Sequence, residues 1–221
     1  MLKGKKLSIL GDSISTYEGV SDDGCANSAL IYNPYHYYSG KIPIEKTYWM
    51  RVMDELGLSL CVNNSWSGGN LSGRDDESAG INRARHLSRD DGETPDIIIV
   101  FIGTNDLGRV SLISPETFAE DYHRTLEIIN EEYPDAYVCC VNLADKGIPS
   151  LNSRRDVFNG IIENAAASMG ERFFIADQHG SSISGEDYYW YTLDGIHPNE
   201  VGMEIIANVI RDAIKNKFGI L

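Results

Sequence analysis

The sequence has no long hydrophobic run. Its longest apolar stretch, Ile97 to Ile102 (IIIVFI), falls far short of the roughly 20 residues a membrane-crossing helix needs. The basic opening, MLKGKKLSIL, leads into no apolar core of signal-peptide length. A soluble, cytoplasmic protein is therefore expected. Positive charge is scarce: 19 Lys and Arg stand against 33 Asp and Glu, giving a formal net charge of −14 and a pI of about 4.7. Such a surface repels phosphate backbones and anionic lipid, so neither nucleic acid nor a membrane is an expected partner. Cysteine is sparse, with four residues and neither a C-x-x-C pair nor a Cys/His cluster at zinc spacing. Cys139 and Cys140 are adjacent in an expected strand and so point to opposite faces. With Cys61 they read as small core residues in a reducing compartment. The phosphate-loop and dinucleotide glycine motifs are missing. So is the G-x-S-x-G elbow, because position 15 is Ser.

What is present is globular. The 221 residues are 42% hydrophobic and 24% charged, enough to bury a core as one domain, 1–221. Five apolar runs of strand length recur: Leu7–Leu10, Leu58–Val62, Asp96–Gly103, Ala136–Leu143 and Arg172–Asp177. Most are apolar throughout, the pattern of strands buried on both faces of a parallel sheet. Helical patterns lie between them, at Thr47–Leu56, Ile81–Leu87, Asp156–Met169 and Asn199–Phe218. The clearest helix opens with Ser114 as N-cap and Pro115 in first position, with Phe118, Tyr122, Leu126 and Ile129 on one face. Strand–helix alternation predicts a three-layer α/β/α domain. Tyr17 to Lys46 breaks the pattern. This insertion, about 17–46, carries Tyr32, Tyr35, His36, Tyr37 and Tyr38, and reads either as a packed surface loop or as a wall of a binding site.

In open parallel sheets, ligands bind beyond the carboxyl ends of the strands. The first strand runs into Gly11-Asp12-Ser13, the second into NNSWSGGN (63–70), and the third into GTND (103–106). Beyond the fifth comes DGIHPN (194–199). Each piece has a local reading as a turn or cap. Together they place catalytic residue types along one sheet edge. Ser13 is the candidate nucleophile and needs a base. His197 is the only His among these segments and suits that role. Asp194, three residues earlier, is close enough to hold the far ring nitrogen. An acyl oxyanion needs donors, and the Ser13 N–H, the Gly68 N–H and the Asn105 amide supply candidates. Asp12 and Asp106 are the expected supporting residues.

These segments resemble the SGNH, or GDSL-like, esterases and lipases. GDSIS looks like the first block, with Ser13 as nucleophile and Asp12 positioning it. NNSWSGGN looks like the second, with Gly68 as the oxyanion glycine. GTND is similar to the third, with Asn105 as the oxyanion asparagine, and DGIHPN to the fifth, with the Asp194–His197 pair. The blocks run in family order across nearly the whole chain. The resemblance implies a flavodoxin-like five-stranded parallel sheet ordered 2-1-3-4-5, with acyl esters hydrolysed without metal or cofactor. It leaves the substrate open among lipases, thioesterases, lysophospholipases and carbohydrate acetylesterases. Trp66 is bulkier than the family's usual residue there, and either shapes an acyl pocket or packs into the core. The aromatics Trp66, Tyr32, Tyr35, Tyr37 and Tyr38, with YYWY (188–191), offer faces to sugar rings. A small, acetyl-like acyl group on a carbohydrate is therefore the leading expectation. Acyl transfer to a sugar through the same site, and an inert carbohydrate-binding module, are the alternatives.

Overall fold

A computed structural model describes residues 2–17, 19–20, 42–109, 111–145, 149–178, 181 and 189–220. Cys25, Tyr32, Tyr35, His36, Tyr37, Tyr38 and Tyr188 lie outside the described residues. The strands are β1 (Lys6–Gly11), β2 (Ser59–Ser65), β3 (Ile97–Phe101), β4 (Tyr137–Val141) and β5 (Phe173–Ala176). The helices are α1 (Tyr48–Leu56), α2 (Gly80–Arg83), α3 (Thr104–Gly108), α4 (Pro115–Glu132), α5 (Pro149–Ser168) and α6 (Glu200–Lys217). The sheet is parallel throughout and ordered β2-β1-β3-β4-β5, as the resemblance implies.

The unbroken apolar runs have a direct cause. Every residue of β3 is buried, and its side chains alternate between two cores. Ile98 and Val100 pack with Phe118, Tyr122, Leu126 and Ile129 of α4 and with Phe158 and Ile162 of α5. Ile97, Ile99 and Phe101 pack with Trp49 and Val52 of α1 and with Ile206 and Ile210 of α6. Each such side chain contributes about 1.5–3 kcal/mol by leaving water. Cys139 and Cys140 divide between the same two cores, as expected of neighbours in a strand.

Three helices differ from the sequence pattern, the first being α3, which forms where the sequence reads as a turn. α5 begins at Pro149, seven residues before Asp156. Its first two turns are polar, so apolar periodicity does not reveal them. They are held by tertiary contacts instead: Arg154 donates to the carbonyls of Asp106, Leu107 and Ile113, and Arg155 pairs with Asp145 and Asp156. α2 ends at Arg83, short of the expected Leu87. The backbone beyond it is satisfied from outside. Asn64 Nδ2 donates to His86 O (2.9 Å), and Leu87 N donates to the Tyr133 hydroxyl (2.7 Å).

Register sets up the functional edge. Gly11 lies opposite Ser65 of β2 and Phe101 of β3, so three strands end level. This alignment depends on a β-bulge. Leu7 pairs with Leu60, but Ser8 pairs with Val62, so Cys61 is the extra residue on β2. Gly11 has no room for a side chain: a Cβ there would stand 2.6 Å from the Ser15 side chain and from Ser65 Oγ.

Candidate active site

Beyond Gly11 the chain makes a tight 3-10 turn, Ser13–Ser15. Asp12 caps it, its Oδ1 accepting from Ile14 N at 3.0 Å. Thr16 Oγ1 donates to Ser13 O at 2.8 Å and closes the turn. A buried polar network lies beneath. Asn63 Nδ2 donates to Ser15 O (2.9 Å), Ser65 Oγ donates to Asn63 Oδ1 (2.6 Å), and Ser15 Oγ shares a hydrogen bond with the Tyr48 hydroxyl (2.6 Å). Burial raises the Tyr48 phenol well above its usual range, so it stays neutral.

Ser13 Oγ lies 2.8 Å from His197 Nε2, and His197 Nδ1 lies 2.8 Å from Asp194 Oδ2. An ionised carboxylate only accepts, so the Nδ1 proton points at Asp194 and Nε2 is left to accept from the serine. Ser13 and His197 are buried, at 5% and 8% exposure. Asp194 is partly buried, which alone would raise its carboxyl. The N–H groups of His197 and Ile196 and the imidazole outweigh that and hold it below the usual carboxylate range. The loop is clamped at its base. Leu193 N donates to His197 O (2.7 Å), and Asn199 caps α6 through the N–H groups of Val201 and Gly202. Gly202 is needed there, since a Cβ would fall 2.3 Å from Tyr191 O.

At the end of β2, Trp66 N donates to Gly11 O and the chain turns through Gly68, whose φ of +74° favours glycine. Asn105 Nδ2 donates to Gly69 O at 2.8 Å, which brings α3 to this turn and leaves its second amide hydrogen for a ligand. Asp106 is fully buried and accepts from Leu71 N (2.7 Å) and Ser72 N (2.9 Å). Desolvation raises its carboxyl, and those two N–H groups only partly offset the rise. On the other side, Gly80 N and Ile81 N donate to the carbonyls of Asn70 and Leu71. The segment after Gly68 is thus gripped from both flanks. Trp66 is partly buried and is not among the residues of either core.

A cavity of about 20 Å³ is lined by Ile14, the residue after Ser13, by Ile196 and Pro198, which flank His197 in the chain, and by Phe101, Thr104 and Thr192 among others. That is room for about one water or one methyl group. Tyr189 and Trp190, just before the Asp194 loop, are exposed at 65% and 78%. The described residues contain no cluster of metal-ligand type. None of their helices is long and apolar enough to cross a membrane. One residue of this region is invisible to sequence reasoning. Arg83, buried at 5% exposure, reaches the ends of both β1 and β2.

The profile of the GDSL-like lipase/acylhydrolase family matches residues 5–148, which include Ser13, Gly68 and Asn105. The chain belongs to this family. Asp194 and His197 lie beyond the matched residues, and the folded geometry brings them to Ser13. No curated protein matches the chain. Among solved structures, a Bacteroides ovatus protein described as a GDSL-like lipase is 24% identical, with 97% of this chain and 99% of that one covered and a TM-score of 0.69. A carbohydrate esterase family 2 enzyme of Myceliophthora fergusii, solved with its carbohydrate-binding domain, is 20% identical, with 97% and 67% covered and a TM-score of 0.69. A family two carbohydrate esterase of Clostridium thermocellum, solved with cellohexaose, is 18% identical, with 98% and 65% covered and a TM-score of 0.69. At these identities the GDSL-like chain shares their fold.

Proposed function

We propose that this GDSL-like protein is a serine esterase that removes small acyl groups, acetyl above all, from carbohydrate esters through an acyl-enzyme. The observation that carries the reading is the hydrogen-bonded chain Ser13 Oγ–His197 Nε2 and His197 Nδ1–Asp194 Oδ2, each at 2.8 Å. Ser13 Oγ attacks the ester carbonyl carbon as its proton passes to His197 Nε2. Asp194 holds the ring and stabilises the imidazolium. The carbonyl oxygen, now an anion, takes hydrogen bonds from Ser13 N–H, Gly68 N–H and the Asn105 amide. The C–O bond breaks, and the leaving alcohol takes the proton from His197. Water, deprotonated by His197, then cleaves the acyl-serine and frees the acid. Ser13 N is the first donor of its turn, with no acceptor inside the turn, which suits it to this task.

The small cavity lined by Ile14, Ile196 and Pro198, the chain neighbours of Ser13 and His197, supports a short acyl chain. The exposed rings of Tyr189 and Trp190, and the fold shared with carbohydrate esterases of family 2, support a sugar as the alcohol. Ser13→Ala is expected to lower p-nitrophenyl acetate hydrolysis by about 10⁴-fold or more. Retained activity in that variant overturns the serine mechanism. Rates should fall from acetyl to butyryl to octanoyl esters, and a preference for octanoyl refutes the acyl size. A fluorophosphonate should label Ser13; absence of labelling together with glycan binding would favour an inert module.

A further inference from the structure

The buried arginine at the end of α2 joins parts of the site that are distant in sequence. Arg83 Nη2 donates to Gly11 O at 3.0 Å, Nη1 donates to the main-chain carbonyl of Asn64, and Nε donates to Ser78 O at 2.8 Å. Gly11 ends the strand that mounts Ser13. Asn64 is the penultimate residue of the strand that leads to Gly68. The guanidinium also lies against the turn itself. A Cβ on Gly69 would stand 3.3 Å from Arg83 Nη2 and 3.0 Å from Ser78 O, the carbonyl that Arg83 holds. One rigid fork therefore spans the nucleophile's strand, the oxyanion strand and the residue after Gly68. A planar guanidinium fixes several donor directions at once, which a lysine ammonium does not. Burying that charge is costly unless its donors find partners, as they do here.

We propose that Arg83 is a positioning residue for ester hydrolysis, setting the distance between Ser13 Oγ and the oxyanion donors at Gly68 and Asn105. The proposal rests on the serine-esterase reading. A group that only stabilised the fold would lower the melting temperature and leave the turnover of folded enzyme alone. A positioning group changes kcat and leaves KM nearly unchanged, because the donors bind the transition state more than the ester.

The test compares wild type, Ser13→Ala, Arg83→Lys, Arg83→Met and Arg83→Ala on p-nitrophenyl acetate, with a boronic acid that adds to the serine as transition-state mimic. Both Arg83 variants should lose about 10- to 100-fold in kcat, somewhat less than removal of an oxyanion donor outright. KM should stay within about twofold, and boronate affinity should fall in step with kcat. Arg83→Lys should match Arg83→Met in kcat despite keeping the charge. Added methylguanidinium should restore turnover to Arg83→Ala, which keeps the proposal testable should Arg83→Met fail to fold. Folded Arg83 variants with wild-type kcat, beside an inactive Ser13→Ala, overturn the positioning role alone. An active Ser13→Ala overturns the esterase reading and this proposal with it.

Discussion

Asp194 reaches His197 from two directions, through the ring nitrogen and through the backbone N–H three residues along the chain. Both interactions favour the ionised carboxylate, so its titration is coupled to folding. The folded carboxyl lies below its unfolded value. As pH falls through the unfolded value, the unfolded chain takes up the proton first, and the stabilisation present above it fades through the folded value. Asp194→Asn should therefore melt below wild type at about pH 7, with the gap closing as the pH falls below the ordinary carboxylate range. Thermal melts across that range check it, and a gap that widens in acid would contradict it. The same variant should lower kcat by about 10⁴-fold, because an amide no longer enforces the tautomer. Other residues were legible for a simple reason: Ser13, Gly68 and Asn105 come within a few residues of a strand's end, and Asp194 and His197 lie in the loop that leads into α6, where position is readable. Arg83 was not. It sits inside INRARHL, where an arginine looks like the solvent face of a helix, and only the folded chain shows its partners to be Gly11, Asn64 and Ser78.

Elements with apolar periodicity announced themselves and elements held by polar contacts did not. β3, α4 and α6 were readable from their buried faces. The first turns of α5, fixed by Arg154 and Arg155, carried no such pattern, and α3 was hidden inside what reads as a Gly-Thr-Asn-Asp turn. The ends of elements also differ in what they govern. Ser114 Oγ accepts from Thr117 N and caps α4, away from the Ser13–His197 pair. Ser114→Ala should cost about 1 kcal/mol of stability and leave kcat unchanged. Gly11→Ala should cost about 1–3 kcal/mol, because its Cβ collides with Ser15 and Ser65, and should lower kcat as well by tilting the turn that bears Ser13. Denaturant melts and kinetics on the two variants check the contrast.

The whole molecule is strongly anionic, at −14. Its field acts on substrates before any contact forms, and most strongly in dilute salt, where the screening length is about 30 Å. An acetylated uronate should thus be hydrolysed with a lower kcat/KM than the matching neutral sugar acetate at low ionic strength. Raising salt to about 0.15 M, where screening shortens to about 8 Å, should raise the value for the uronate and leave the neutral ester unchanged. The sheet's architecture was legible at this scale because strand order and strand ends together define one edge. Its fine alignment was not, because a bulge leaves no mark in a five-residue apolar run.

That bulge has a further consequence. Cys61 adds one beat to β2, and every later residue of the strand is advanced by one position against β1. With the extra beat, Ser65 faces Gly11, and the eight residues from Cys61 to Gly68 end in the turn beside Asn105. Without the bulge, regular pairing from Leu7 and Leu60 would put Asn64 opposite Gly11 and carry Ser65 one position past the end of β1. Cys61 takes no part in the proposed chemistry, yet it keeps the phase of the strand. Pairing β2 straight through Cys61, with no bulge, would put the turn at Gly68 one residue out of step with Ser13 while leaving every side chain of the proposed site in the sequence.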